Sequence, residues 1–223
     1  MVTDPDILSL AVTTIDLKNI GLAKAVFDLR QDLDMHATLA VNWSTIKNHS
    51  LGVQFFSQVR HRALDSIVLG VCKIYEKEKR NELNSIDGLI TELCQTQPKS
   101  LDDTAVKTFL ETYKGPPIGT SSANAIRSTF NEFQSKYSAE LRSFRIARDK
   151  IIAHTEYDAL IKTVPSYDVM ERLFYFAADL YALIVSSFVG GSPDDLRKNR
   201  PIRTSLVRLL HEIGISNVKT EME

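Results

Sequence analysis

The chain reads as an all-α protein, an antiparallel helical bundle with additional C-terminal helices, and three observations predict it. Apolar residues recur at steps of three and four along most of the sequence, the spacing of a buried helix face. Its 9 glycines and 7 prolines are sparse and cluster between those stretches rather than inside them. No alternating apolar and polar run is long enough for a useful strand, and no internal repeat is visible.

The elements follow in chain order. Residues 53–76 carry the clearest stripe, with Phe56, Val59, Ala63, Ile67, Val71 and Ile74 on one face. Ser85 predicts an N-cap for a helix running to about Cys94, because its hydroxyl can accept from an exposed backbone N–H. Ser100 predicts the next cap, with Asp102 and Asp103 behind it suiting the positive end of the helix dipole. Gly115-Pro116-Pro117-Ile118-Gly119 is the strongest break in the first two-thirds of the chain.

Residues 121–154 contain no glycine or proline and predict one long helix. Its apolar stripe is Phe130, Phe133, Tyr137, Leu141 and Phe144, and the helical period makes that stripe core rather than a base-stacking platform. Ser166 then caps an intensely apolar helix through about Val189. Gly190-Gly191-Ser192-Pro193 ends it, and a short helix over roughly 202–213 stops at Gly214. Residues 1–190 would thus form the bundle, and residues 191–223 a C-terminal helical extension of the same domain.

Composition bounds the function. A hydrophobic share of 43% and a charged share of 25% are those of an ordinary globular protein. The 27 basic and 28 acidic residues cancel, so any contact with RNA has to come from a local patch. Cys72 and Cys94 form no CxxC pair or disulfide framework, which points to a reducing cytoplasm. The N-terminus lacks a signal-peptide plan, and the apolar region 173–189 is broken by Asp179 and two serines, so no membrane association is expected. Neither a GxGxxG nor a Walker loop occurs. His36, His49, His61, His154 and His211 lack partners at metal-ligand spacing, so neither a metal nor another cofactor is expected.

The segment left with chemical interest is Arg148-Asp149-Lys150-Ile151-Ile152-Ala153-His154. An Arg a few residues before a His is not informative by itself, since Arg30 to His36 has the same spacing. Context separates the two. Arg30 to His36 reads as an acidic surface stretch with little apolar anchoring. Arg148 ends a helix that already carries Arg142 and Arg145, the apolar Ile151-Ile152-Ala153 must pack against something, and Asp149 can orient the guanidinium. On a helix Arg148 and His154 lie about 120° apart, flanking that apolar strip. A two-fold axis beside the strip would bring both residues of two copies into one cleft.

This heptapeptide resembles the signature of the HEPN superfamily, in which an Arg followed by a polar residue precedes a His by four to six positions. Asp after the Arg and Ala before the His are similar to the abortive-infection, AbiU-like branch. The stretch Arg62-Ala63-Leu64-Asp65-Ser66-Ile67-Val68-Leu69, Tyr75, and Ser85-Ile86-Asp87-Gly88-Leu89-Ile90 extend the likeness, over about residues 20–190. The resemblance implies an all-helical homodimer and a metal-independent RNA endonuclease of a defence or toxin–antitoxin system, with an antitoxin or other partner protein. It implies Arg148 and His154 as the catalytic pair and Asp149 as the polar helper, with Lys150, Arg145 and Tyr157 as candidate substrate contacts. One common type of HEPN toxin has Tyr two residues after the His; here that place is Glu156 and Tyr157 comes one later. A catalytically silent HEPN module binding a nucleotide or protein is the alternative, and a plain helical interaction module the third.

The residue types suit the chemistry. Histidine titrates near neutrality and can move a proton to or from the reacting oxygens. Arginine supplies a permanent, planar cation where a phosphorane gathers charge.

Overall fold

The structure is a computed structural model that describes residues 22–49, 52–76, 85–96, 101–119, 121–152, 164–188, 201–215 and 218–219. Among these residues it is all-helical, without a strand. The helices are α1 (Leu22–Val41), α2 (Trp43–His49), α3 (Val53–Tyr75), α4 (Ile86–Thr96) and α5 (Asp103–Tyr113). They continue with α6 (Ser122–Lys136), α7 (Ser138–Ile152), α8 (Tyr167–Phe188) and α9 (Pro201–Glu212).

The longest stripe forms the spine. On α3, Phe56, Ala63, Ile67, Val71 and Ile74 are buried as the period predicts. Helix α1 packs along it. Asp32 and Met35 share a groove with Phe55–Ala63, while Ala25 and Leu29 share one with Leu69–Lys73, so the two helices run in opposite directions. Helix α7 packs on α3 and α8 packs on both α1 and α3, while α4, α5 and α6 close the far side.

Phe176 of α8 is the hub of that side. Its ring lies 4.0 Å from Phe133, 4.7 Å from Tyr113 and 5.5 Å from Phe109, joining α5, α6 and α8 through offset and edge contacts. The Tyr113 hydroxyl also donates to Asp179 at 2.6 Å. Arg127 fastens α6 to α4 by donating to the Asp87 carboxylate at 2.6 Å and to the Thr91 hydroxyl.

A second apolar cluster lies at the other end, formed by Leu39, Ile46, Phe56, Leu210 and Ile215. Here α9 docks on α1, and half-buried Trp43 packs against the cluster with the Arg60 guanidinium 4.8 Å over its ring. Buried Asn42 accepts from the Lys219 N–H at 2.7 Å and donates to the Lys219 carbonyl at 3.0 Å, which pins the C-terminal segment.

Several helix ends follow the sequence. Ser85 Oγ accepts from the Gly88 N–H, α8 starts directly after Ser166, and Gly214 ends the last helix at φ 86°. Lys114 takes the left-handed conformation (φ 54°) after α5, and the Gly115 N–H closes that end onto the Leu110 carbonyl at 2.8 Å. A Cβ at Gly115 would collide with the Thr129 hydroxyl, so glycine is required there by close approach.

Three expectations change. The cap of α5 is Asp102, whose carboxylate accepts from the Thr104 and Ala105 N–H groups; Ser100 lies outside the described residues. The single helix over 121–154 is two helices, because Tyr137 leaves helical geometry (φ −103°, ψ 22°) where its ring seats against Phe133. The backbone bonds from Tyr137 to Phe133 and from Leu141 to Tyr137 persist, so this is a kink rather than a turn.

The third concerns Arg30 to His36, which is not a surface stretch. Arg30 and Asp34 each keep 2% of their surface exposed and Leu33 none. The two charges pair with each other at 3.1 Å, and the Arg30 guanidinium sits 5.2 Å from the Phe174 ring centroid. Pairing and the aromatic face are what allow those charges inside.

Candidate functional site

The Arg148 segment is built on the end of α7. Leu141, Phe144 and Ala147 fall on one face and are buried, so the helix is anchored on its core side up to the residue before Arg148. Ile151 also packs against the main core. The apolar strip expected beside a two-fold axis is therefore used, at Ile151, within the chain itself.

Arg148 emerges at the margin of this face, with 25% of its side chain exposed. Its partner is Glu76, the residue that ends α3. Tyr75 before it is wholly buried, stacked on Phe130 and Phe133, and its hydroxyl donates to the Leu173 carbonyl at 2.6 Å. That anchoring fixes where Glu76 leaves the helix, and its backbone turns extended there.

The guanidinium is held from two sides. Nη1 donates to Glu76 Oε1 at 2.7 Å, while Nε and Nη2 both donate to Asp149 Oδ1 at 3.1 Å. Asp149 thus stands in the orienting position the sequence suggested. The ordinary four-apart pairing of Arg145 with Asp149 is replaced by this neighbouring pair. Hydrogen bonding to Glu76 raises the Arg148 pKa, partial burial opposes it, and the Asp149 bond adds to the rise. Three of its five N–H donors are engaged, which leaves one on each terminal nitrogen for an incoming oxyanion.

Beneath it lies the buried thiol of Cys72, pushed up to about 11 by burial, with the Arg148 charge pulling the other way. Arg142 and Arg145 are exposed on the same helix, so a basic ridge does run along α7. Lys150 is half-buried. His154 and Tyr157 lie outside the described residues.

Glu76 is the residue the sequence did not single out. It sits 72 positions before Arg148, and nothing local marks it. No group of three or more His, Cys, Asp or Glu that could hold a metal ion occurs among the described residues. No described helix is long and apolar enough to cross a membrane.

Compared with known families, the chain matches the model HEPN_AbiU2, described as AbiU2, over residues 28–195. No curated protein and no solved structure matches it. The matched span runs from α1 through α8, takes in both Glu76 and Arg148, and stops short of α9.

Proposed function

The chain belongs to the AbiU2 family of HEPN proteins, and from that premise we propose that it is a metal-independent RNA endonuclease acting as a homodimer in defence or as a toxin. The observation that carries this reading is the held guanidinium of Arg148. It sits at the chain's surface in fixed orientation, with two N–H donors left and six residues before His154.

In the proposed reaction the 2′-oxygen of a ribose attacks the adjacent phosphorus, and the bond from phosphorus to the 5′-oxygen of the next nucleotide breaks. The products are a 2′,3′-cyclic phosphate and a free 5′-hydroxyl. His154 takes the 2′-hydroxyl proton or gives one to the departing oxygen. Arg148 faces the non-bridging oxygens as they gather charge, an electrostatic role for which a preoriented donor needs no reorganisation. Asp149 and Glu76 hold the fork. Arg145, Lys150 and Tyr157 are the candidate contacts to the strand, and a second copy supplies a second set across the two-fold axis.

One observation favours the second reading, a catalytically silent HEPN module that binds a nucleotide or a partner protein such as an antitoxin. The Arg148 charge is already met by two carboxylates. Incubation of purified protein with RNA in a chelator separates the two. Cleavage that leaves a cyclic phosphate and is lost in both His154→Ala and Arg148→Ala is expected. Cleavage undiminished by either substitution, or absent from the unaltered protein, would sink the ribonuclease reading.

A further inference from the structure

An open groove of about 500 Å³ lies between the end of α5, the end of α6 and the first half of α8. Tyr113, Phe133 and Tyr175 line it with half-buried rings, and Lys114, Lys136 and Arg172 stand exposed around it. The only carboxylate among its lining residues is Glu132. In a chain whose charges otherwise cancel, three cations around an aromatic floor make a local basic patch.

The groove is built rather than incidental. Lys114 holds its place through the left-handed turn that the Gly115 close approach fixes. Phe133 is clamped face to face on Phe176, so the floor is rigid. Lys136 and Arg172 come from different helices, and no ion pair among the described residues occupies either of them or Lys114.

Its position matters too. The Tyr75 ring stacks on Phe133 at 6.3 Å and the Tyr75 carbonyl accepts from Gln134. The next residue, Glu76, holds Arg148. One buried tyrosine therefore adjoins both the groove and the Arg148 clamp.

We propose that this groove binds a segment of single-stranded RNA, a base stacked on Tyr175 and its phosphates facing Lys114, Lys136 and Arg172. Aromatic faces accept any base, and cations track the backbone, so the pairing suits a strand without fixed sequence. A volume of about 500 Å³ accommodates roughly one nucleotide, with the flanking phosphates at the rim. The strand would leave the groove toward Arg148. This rests on the ribonuclease reading for the substrate, but its geometry is independent of catalysis.

The test uses the full chain carrying His154→Ala, so that RNA stays intact, and the fluorescence anisotropy of a labelled single-stranded RNA of about twelve nucleotides. Lys136→Ala/Arg172→Ala should weaken binding about ten-fold or more and lower the salt slope by about two. Tyr175→Leu should weaken it about ten-fold, whereas Tyr175→Phe, which keeps the ring, should bind as the parent does. Lys107→Ala, on α5 outside the groove, is the reference. Binding of the double variant within about two-fold of the parent, an equal loss in Lys107→Ala, or binding by Tyr175→Leu as tight as by Tyr175→Phe overturns the proposal. The two readings fail separately. If unaltered protein cleaves no RNA yet the groove variants still lose affinity, the ribonuclease reading falls and the groove stands. If the groove variants bind RNA as the parent does, and unaltered protein cleaves RNA at a rate the same groove substitutions leave unchanged when His154 is kept, the groove falls and the ribonuclease reading stands.

Discussion

Replacing Asp34 by Leu should destabilise this chain as much as a large core truncation, although it removes a charge and adds apolar surface. Asp34 and Arg30 pair at 3.1 Å with side chains 2% and 3% exposed, and the far face of the guanidinium meets Phe174. Removing the carboxylate leaves a cation that cannot lose its proton, desolvated and facing only an aromatic ring. Breaking a buried pair in this way costs about 3–5 kcal/mol, roughly a fifth or more of the stability of a small protein at the usual 5–15 kcal/mol. At about 2–4 °C per kcal/mol for a chain of this length, the melting temperature should fall by roughly 6–20 °C. Arg30→Met/Asp34→Leu should instead lie within about 1 kcal/mol of the parent or above it, because neither charge is then desolvated. Urea titrations of the parent, both single variants and the double give the coupling directly. A single Asp34→Leu variant within about 1 kcal/mol of the parent, or a double variant as unstable as the singles added together, would refute the reasoning.

Glu76→Gln should lower the cleavage rate roughly ten-fold by loosening Arg148, with KM unchanged or lower; stability should move by less than about 1 kcal/mol because that carboxylate is largely exposed. Equal losses in rate and stability would assign Glu76 a merely structural role. Gly115→Ala should cost about 1–3 kcal/mol through its collision with Thr129, and Thr129→Ala in the same chain should recover part of it in a thermal melt. Burial, reinforced by Asp28, raises the Asp32 carboxyl from 3.8 to about 7. The folded chain therefore holds that proton more tightly than the unfolded one, and stability falls as pH rises from about 4 to about 7. Asp32→Asn should match the parent near pH 3.5 and exceed it by about 1–2 kcal/mol at pH 8, a discounted figure since the side chain is only partly buried. An advantage that is the same at both pH values would count against a titrating Asp32.

Much of the fold was legible because helices are local objects. The α3 stripe, the Ser85 cap and the Gly115 and Gly214 stops each depend on residues within a turn or two of one another, and the structure places them accordingly. Arg30 and Asp34 read as surface residues because charge favours water, yet the fold buries them as a pair. The sequence carries a signal against that: Leu22, Val26, Arg30, Asp34 and Thr38 follow each other at four-residue steps, on one row beside Leu29 and Leu33. The kink at Tyr137 carries no glycine or proline to announce it and arises from how one ring seats on Phe133. The Arg148 and Asp149 pairing could be anticipated from adjacency, whereas Glu76 could not, because it depends on how α3 meets α7. The groove beside Phe133 is a joint product of three helices, so no single stripe reveals it.

The chain's single tryptophan gives its two apolar clusters separate optical identities. Trp43 sits against the small cluster, where α9 docks and Asn42 grips the C-terminal segment. Most of the tyrosines and phenylalanines described belong to the large cluster around Phe176. Indole emission is thus a spectator of the end where α1, α2, α9 and the start of α3 meet, while far-ultraviolet ellipticity averages over every helix. A wavelength shift that precedes the loss of ellipticity in denaturant would register that end opening as a unit of its own, and coincident curves would register a chain that melts as one body.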